Sequence, residues 1–131
     1  PVAISASAPP EKSVPATSAE APEITAAIQA WAKAWAGKDM NAYFAAYSSQ
    51  FKPADGKTRK AWETDRQARI LSKNSISVQV SDVEAQVSGN NATASFRQIY
   101  RAGSLASNSR KTLEMARENG KWLITRESTG G

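Results

Sequence analysis

The side chains that could do chemistry here are aromatic and basic, because the usual catalytic and metal-binding types are missing. The 131-residue chain has no histidine and no cysteine. That removes the commonest general base, the commonest metal ligand and any thiolate nucleophile. Its four Asp and eight Glu are scattered, without the alternating carboxylates of a cation-binding loop, so no metal and no other cofactor is expected. The aromatic set Trp31, Trp35, Tyr43, Tyr47, Trp62 and Trp122 offers apolar faces with polar tips, the chemistry of a carbohydrate or peptide groove. The competing use is the core. With three Phe and few Leu the chain has little else to build one from, and at least four of the six are expected inside. Residues 52–73 carry seven Lys or Arg against three acids, and Arg97, Arg101, Arg110 and Lys111 form a second basic group. Converging, these could attract an acidic glycan, lipid or protein; otherwise they are solvated surface. Nucleic acid is not expected, because the stretches lack the interleaved aromatics of a base-stacking surface.

The elements that must position these groups are legible from spacing. Trp31, Trp35, Tyr43, Tyr47 and Phe51 keep a four-residue beat, with Asp39 on the missing beat and Gly37-Lys38-Asp39 interrupting it. This predicts two short helices: one from about Pro22-Glu23, stopped by Gly37 as a left-handed cap, and one capped by Asp39. Thr58 can cap a third, running to about Leu71 and bringing Trp62, Arg66, Arg69 and Ile70 together. Arg66, in the stripe of a tryptophan, is either a snorkelling stem with a solvated head or a half-buried guanidinium paired with Glu127 or Glu114. From Ser75 on the pattern alternates. Its parity flips between Val80 and Val83, which predicts a β-bulge at Ser81-Asp82. Ala92, Ala94, Phe96, Gln98 and Tyr100 form one face of the next strand. A polar loop is expected over 103–109, then inner residues Leu113 and Met115, a tight Asn119-Gly120 turn, and inner residues Trp122 and Ile124. The expectation is an α+β fold, with three helices on a bent four-stranded antiparallel sheet enclosing a cone-like cavity.

The first 22 residues contain five Pro, six Ala and four Ser and no aromatic, which reads as a disordered linker ahead of a domain over 23–131. The folded part carries the net positive charge, with +5 for the whole chain. No run of 18 apolar residues exists, so no membrane-spanning helix is expected. With no N-terminal Met, the chain reads as a piece of a longer protein. A Pro/Ala/Ser tether of this kind is frequent in bacterial envelope proteins.

Several motifs together resemble the nuclear-transport-factor-2-like (SnoaL-like) superfamily. They are Trp31-Ala-Lys-Ala-Trp35, Asp39 with Tyr43, Tyr47-Ser-Ser-Gln-Phe51, Trp62 with Arg66 and Arg69-Ile70, Phe96-Arg-Gln-Ile-Tyr100, Arg110-Lys-Thr-Leu113, and Gly120-Lys-Trp-Leu-Ile124 with Glu127. Within that superfamily the chain is most similar to the C-terminal module of some bacterial L,D-transpeptidase-family envelope proteins. This resemblance implies a periplasmic or envelope-associated, non-catalytic binding or regulatory module. Its partner would be a protein or a cell-wall glycan or peptide, contacted through Tyr43, Tyr47, Trp62, Arg66, Arg69, Arg97, Tyr100 and Trp122. It also implies an alternative, a small-molecule isomerase, lyase or hydrolase. That would use Asp65 or Glu114 as pocket base and Tyr43, Tyr47 or Tyr100 as hydrogen-bond donor. Superfamily members often pair through the outer sheet face. Here Thr93, Ser95, Arg97, Ile99 and Arg101 make that face polar, which implies a monomer or weak dimer.

Overall fold

A computed structural model describes residues 14–15, 20–53 and 56–129. In chain order these form β1 (Val14–Pro15), α1 (Glu20–Ala36), α2 (Met40–Ala45), α3 (Arg59–Leu71), β2 (Ser77–Ser88), β3 (Asn91–Ala102), β4 (Leu105–Glu118) and β5 (Lys121–Thr129). The strands make one antiparallel meander in the order β1-β2-β3-β4-β5, with the helices on its inner face. The four long strands are those expected. The fifth is a two-residue pairing, Val14 opposite Val87 and Pro15 opposite Gln86. The expected linker over 1–22 otherwise lies largely outside the described residues, and Glu20–Pro22 already belong to α1.

The helix boundaries follow from capping. Glu20 and Glu23 occupy the first turn of α1, where carboxylates meet the positive end of the helix dipole. At its other end Lys38 N–H donates to Trp35 and Asp39 N–H to Ala34, the paired bonds of a Schellman stop. The left-handed residue of that stop is Lys38 (φ 58°), not the expected Gly37. A Cβ on Gly37 would lie 3.2 Å from the Lys33 carbonyl, so glycine is there for space. Lys38 is held in place by its ammonium, which donates to the carbonyls of Lys73 and Asn74 just past the end of α3. Asp39 and Thr58 cap α2 and α3 as expected, accepting from Ala42 and Ala61.

Five of the six aromatic candidates are core: Trp31, Tyr43, Tyr47, Trp62 and Trp122. Only Trp35 is half-buried. Tyr47, Phe51 and Trp62 meet at centroid distances of 4.5–4.7 Å. Edge and tilted contacts of this kind add about 0.5–1.5 kcal/mol per pair beyond burial.

The sheet bends where β2 slips register between Ser81 and Glu84, with Asp82 at φ 56°, as the parity flip predicts. Two features differ from expectation. The expected loop over 103–109 is instead ladder: β3 and β4 stay paired to Ala102–Leu105, closed by Gly103-Ser104 with Gly103 at φ 60°. A glycine at the first turn position permits a two-residue hairpin, so the polar residues that follow are strand with a solvated face. A second bulge also separates the pairs Glu114–Arg126 and Met115–Ile124, leaving Thr125 as the extra residue. Its hydroxyl donates to the Glu114 carbonyl. The outer edge of β5 is covered by the chain after α2. Ser48 N–H donates to Ile124, Ile124 N–H to Ala46, and Lys52 N–H to Thr125.

Candidate functional site

The Thr125 bulge decides what the cone contains. Trp122 and Ile124 point inward, so strict alternation would carry Arg126 in next. The extra residue shifts the phase, and Glu127 enters instead, opposite inward Leu113. Its side chain is 8 % exposed. Lys111, 7 % exposed, lies 2.9 Å from one carboxylate oxygen, Oε2. On Oε1, the Tyr47 hydroxyl donates at 2.9 Å and Arg66 stands 3.5 Å away.

The cluster extends from there. Trp31 Nε1 donates to the Tyr47 hydroxyl at 3.0 Å, and Arg66 Nη1 donates to the Tyr43 hydroxyl at 3.1 Å. The two tyrosine hydroxyls are 3.3 Å apart. Lys111 also lies under the rings of Trp31 and Trp35, at 5.6 and 5.9 Å, and Arg66 lies over Trp62 at 5.5 Å. Thus two cations and one carboxylate share a space walled by indoles, and the group carries one excess positive charge.

The protonation states follow from this packing. Burial pushes the Glu127 carboxyl up, but Lys111 first and Arg66 second, with the Tyr47 hydrogen bond, hold it below the usual carboxylate range. Burial raises the Tyr43 hydroxyl, although Arg66 opposes it. Burial, and then the Glu127 charge, drive Tyr47 well above the ordinary phenol value. Burial lowers Arg66, yet the Glu127 carboxylate leaves it raised on balance. An ionised Glu127, a neutral Tyr47 and a charged Arg66 is therefore the resting state near neutral pH.

The cluster opens at Arg66 into the mouth of the cone, a cavity of about 240 Å³. Trp35 and Tyr100 form one wall, stacked at 5.2 Å with 28° between their planes. Arg66, Arg69 and Ile70 of α3, with Lys73 just past its end, form the other, and Leu105 closes the rim. Arg69 reaches Asp65 at 3.4 Å on the solvent side.

The expected site residues separate into groups. Tyr43, Tyr47, Trp62 and Arg66 come together in the buried cluster, and Arg69 and Tyr100 line the mouth. Arg97 does not join them: it is exposed on the outer sheet face and bonds Asn108 at 2.7 Å. Trp122 lies elsewhere, under the Arg117 guanidinium at 4.7 Å, on the wall of a separate alanine-lined groove between α1, α2 and β5. Neither candidate base faces the cone. Asp65 is a surface residue of α3; the Lys57 hydrogen bond, ahead of Arg69 and Arg66, holds its pKa below the usual value. Glu114 is exposed on the outer face, between inward Leu113 and Met115. Of the two pairings open to Arg66, the structure contains the one with Glu127. Lys111, grouped by sequence with surface basic residues, proves to be the innermost cation. It shares the parity of Leu113 and Met115, and that signal could have placed it inside.

The family follows from comparison with known proteins. A sequence model described as the Cds6 C-terminal NTF2-like domain matches residues 23–128. The chain belongs to this NTF2-like family. No curated protein sequence matches it. Among solved structures, the domain is similar to Pgp2, the helical cell-shape-determining protein of Campylobacter jejuni. The TM-score is 0.81 at 20% identity, covering 96% of this chain and 46% of Pgp2. It is similar to Bd1075 of Bdellovibrio bacteriovorus, with TM-score 0.75 at 19% identity, covering 83% of this chain and 39% of Bd1075. It is also similar to a candidate dehydratase of the NTF2-like family from Streptomyces avermitilis, with TM-score 0.76 at 11% identity, covering 87% of this chain and 97% of that protein. At these identities the likeness concerns the fold. The NTF2-like chain spans less than half the length of Pgp2 and of Bd1075.

Proposed function

We propose that this NTF2-like domain is a non-catalytic binding module of a bacterial envelope protein, recognising an anionic cell-wall glycan or peptide fragment at the mouth of the cone. One observation carries the reading. The carboxylate inside the cone, Glu127, is committed to Lys111, Arg66 and Tyr47 and held ionised, with its pKa lowered. A general base must reach substrate and have a proton affinity matched to its task; a carboxylate bound in this way has neither property. The mouth instead offers cations and a stacked aromatic wall, which suits sugar or peptide faces bearing carboxylates. The likeness to a cell-shape protein supports the envelope setting, and a periplasmic location belongs to the same proposal. The polar outer face of the sheet supports a monomer or weak dimer. A protein partner at the same mouth is the variant of this reading.

Chemical-shift titration of the isotope-labelled domain tests it. Peptidoglycan fragments should perturb Trp35, Tyr100 and the α3 arginines, with saturation. If those signals stay still while small apolar carbonyl compounds perturb Tyr43, Tyr47 and Glu127, the isomerase, lyase or hydrolase reading replaces it.

A further inference from the structure

The mouth end of the cone differs from the rest of the surface in two independent ways. First, Leu71 and Leu105, 49 % and 54 % exposed, are the exposed large hydrophobic residues of the described part of the chain, and both are at this end. Leu105 begins β4 at the tip of the β3–β4 hairpin; Leu71 ends α3, next to Ile70 on the cavity wall. Second, the segments that meet here are devoid of acid. Residues 66–80 and 99–109 contain Arg66, Arg69, Lys73 and Arg101 and not one Asp or Glu. Lys38 adds its ammonium against the end of α3. The acids that do answer these cations reach in from outside those segments: Glu127 to Arg66, and Asp65 to Arg69 on the solvent side. Lys73 makes no ion pair among the described residues.

Two exposed leucines at one end, flanked mostly by cations, combine apolar and basic surface in the way an interaction site does. A surface that is anionic outside and apolar a few ångströms below satisfies both features at once. Anionic head groups neutralise the basic ring, while the two leucines enter the acyl region. A soluble anion would satisfy the cations and leave the leucines in water.

We propose that the mouth of the cone docks on an anionic lipid bilayer, with Arg69 and Lys73 against head groups and Leu71 and Leu105 inserted beside them. This rests on the mouth being the binding end, as proposed above, and names the surface on which it would work. The test is co-sedimentation of the full 131-residue chain with phosphatidylglycerol/phosphatidylcholine vesicles and with pure phosphatidylcholine vesicles. Binding to the anionic vesicles should be tighter by about tenfold or more, and should weaken as salt rises from about 0.02 to about 0.5 M. The pairs Leu71→Ser with Leu105→Ser, and Arg69→Glu with Lys73→Glu, alter exposed or half-buried side chains outside the core and should each reduce vesicle binding by about tenfold while leaving the circular dichroism spectrum unchanged. Equal binding to both vesicle types overturns the proposal. So does an unchanged affinity in the serine pair, which would reduce the site to one for free anions, to be checked with glycerophosphate. If peptidoglycan fragments perturb Trp35 and Tyr100 but no vesicle binds, docking on lipid fails while the recognition reading stands.

Discussion

The inside of the cone and its mouth use the same side-chain types under opposite rules. Inside, Arg66, Lys111, Glu127, Tyr43 and Tyr47 are matched to one another and to Trp31, within hydrogen-bond or ion-pair distance. Away from water an unmatched charge is costly, so the group is a closed set that stabilises the fold only while complete. At the mouth, Arg69 is exposed and Lys73 half-buried beside leucines and a half-buried aromatic pair. Among the described residues Arg69 pairs only with Asp65 at the surface, so a missing partner costs little. Arg66 belongs to both, with its guanidinium between Glu127 and the cavity. The difference teaches that polar residues in a cone are not by themselves a sign of catalysis. What matters is whether they are already spoken for.

Breaking the closed set should have the largest effect. Glu127→Ala leaves Lys111 and Arg66 without their shared carboxylate, and a buried charge stripped of its partner destabilises by about 3–5 kcal/mol. Denaturant unfolding measures this directly. A loss below about 1 kcal/mol would mean that water enters the cone and the inside is not closed. Tyr47→Phe should cost less, about 1–3 kcal/mol, because it orphans Trp31 Nε1 and takes one hydrogen bond from Glu127 while keeping the ring contacts.

The pH dependence sharpens the same contrast. Glu127 binds its proton more weakly folded than unfolded. Its stabilisation is therefore complete above the ordinary carboxylate range and is lost as pH falls from there through the lowered folded value. In Glu127→Gln the part of the acid slope due to this group should vanish. An unchanged slope would assign the acid sensitivity to other carboxylates. At the other end of the scale, Arg69→Glu and Lys73→Glu should change stability by no more than about 0.5 kcal/mol while removing ligand-induced shifts at Trp35 and Tyr100. A stability loss comparable to that of Tyr47→Phe would show that the mouth is part of the closed set after all.

Much of the scaffold was legible because local rules had no competitor. The four-residue aromatic beat, the Asp39 and Thr58 caps, the parity flip at Ser81-Asp82 and the inner face of β3 all appear as read. The site was less legible for a specific reason. A bulge shows in sequence only when apolar residues lie on both sides to mark the change of phase. Val80 and Val83 do so in β2. In β5 the apolar pattern ends at Ile124, so the slip at Thr125 left no trace. Lys111 was hidden by its neighbours, since Arg110 beside it is on the surface and the pair resembles one basic patch. Lys38 took the left-handed position that Gly37 seemed made for, because a distant pair of carbonyls rewards its side chain there. Such long-range compensation has no local signature.

The Thr125 bulge makes the cone's contents a matter of frame as well as of residue identity. Had the same residues paired without the bulge, strict alternation would present Arg126 to the space where the bulged strand presents Glu127, an opposite charge. Whether Thr125 is absorbed as a bulge therefore sets the sign of the charge inside the cone, without any substitution.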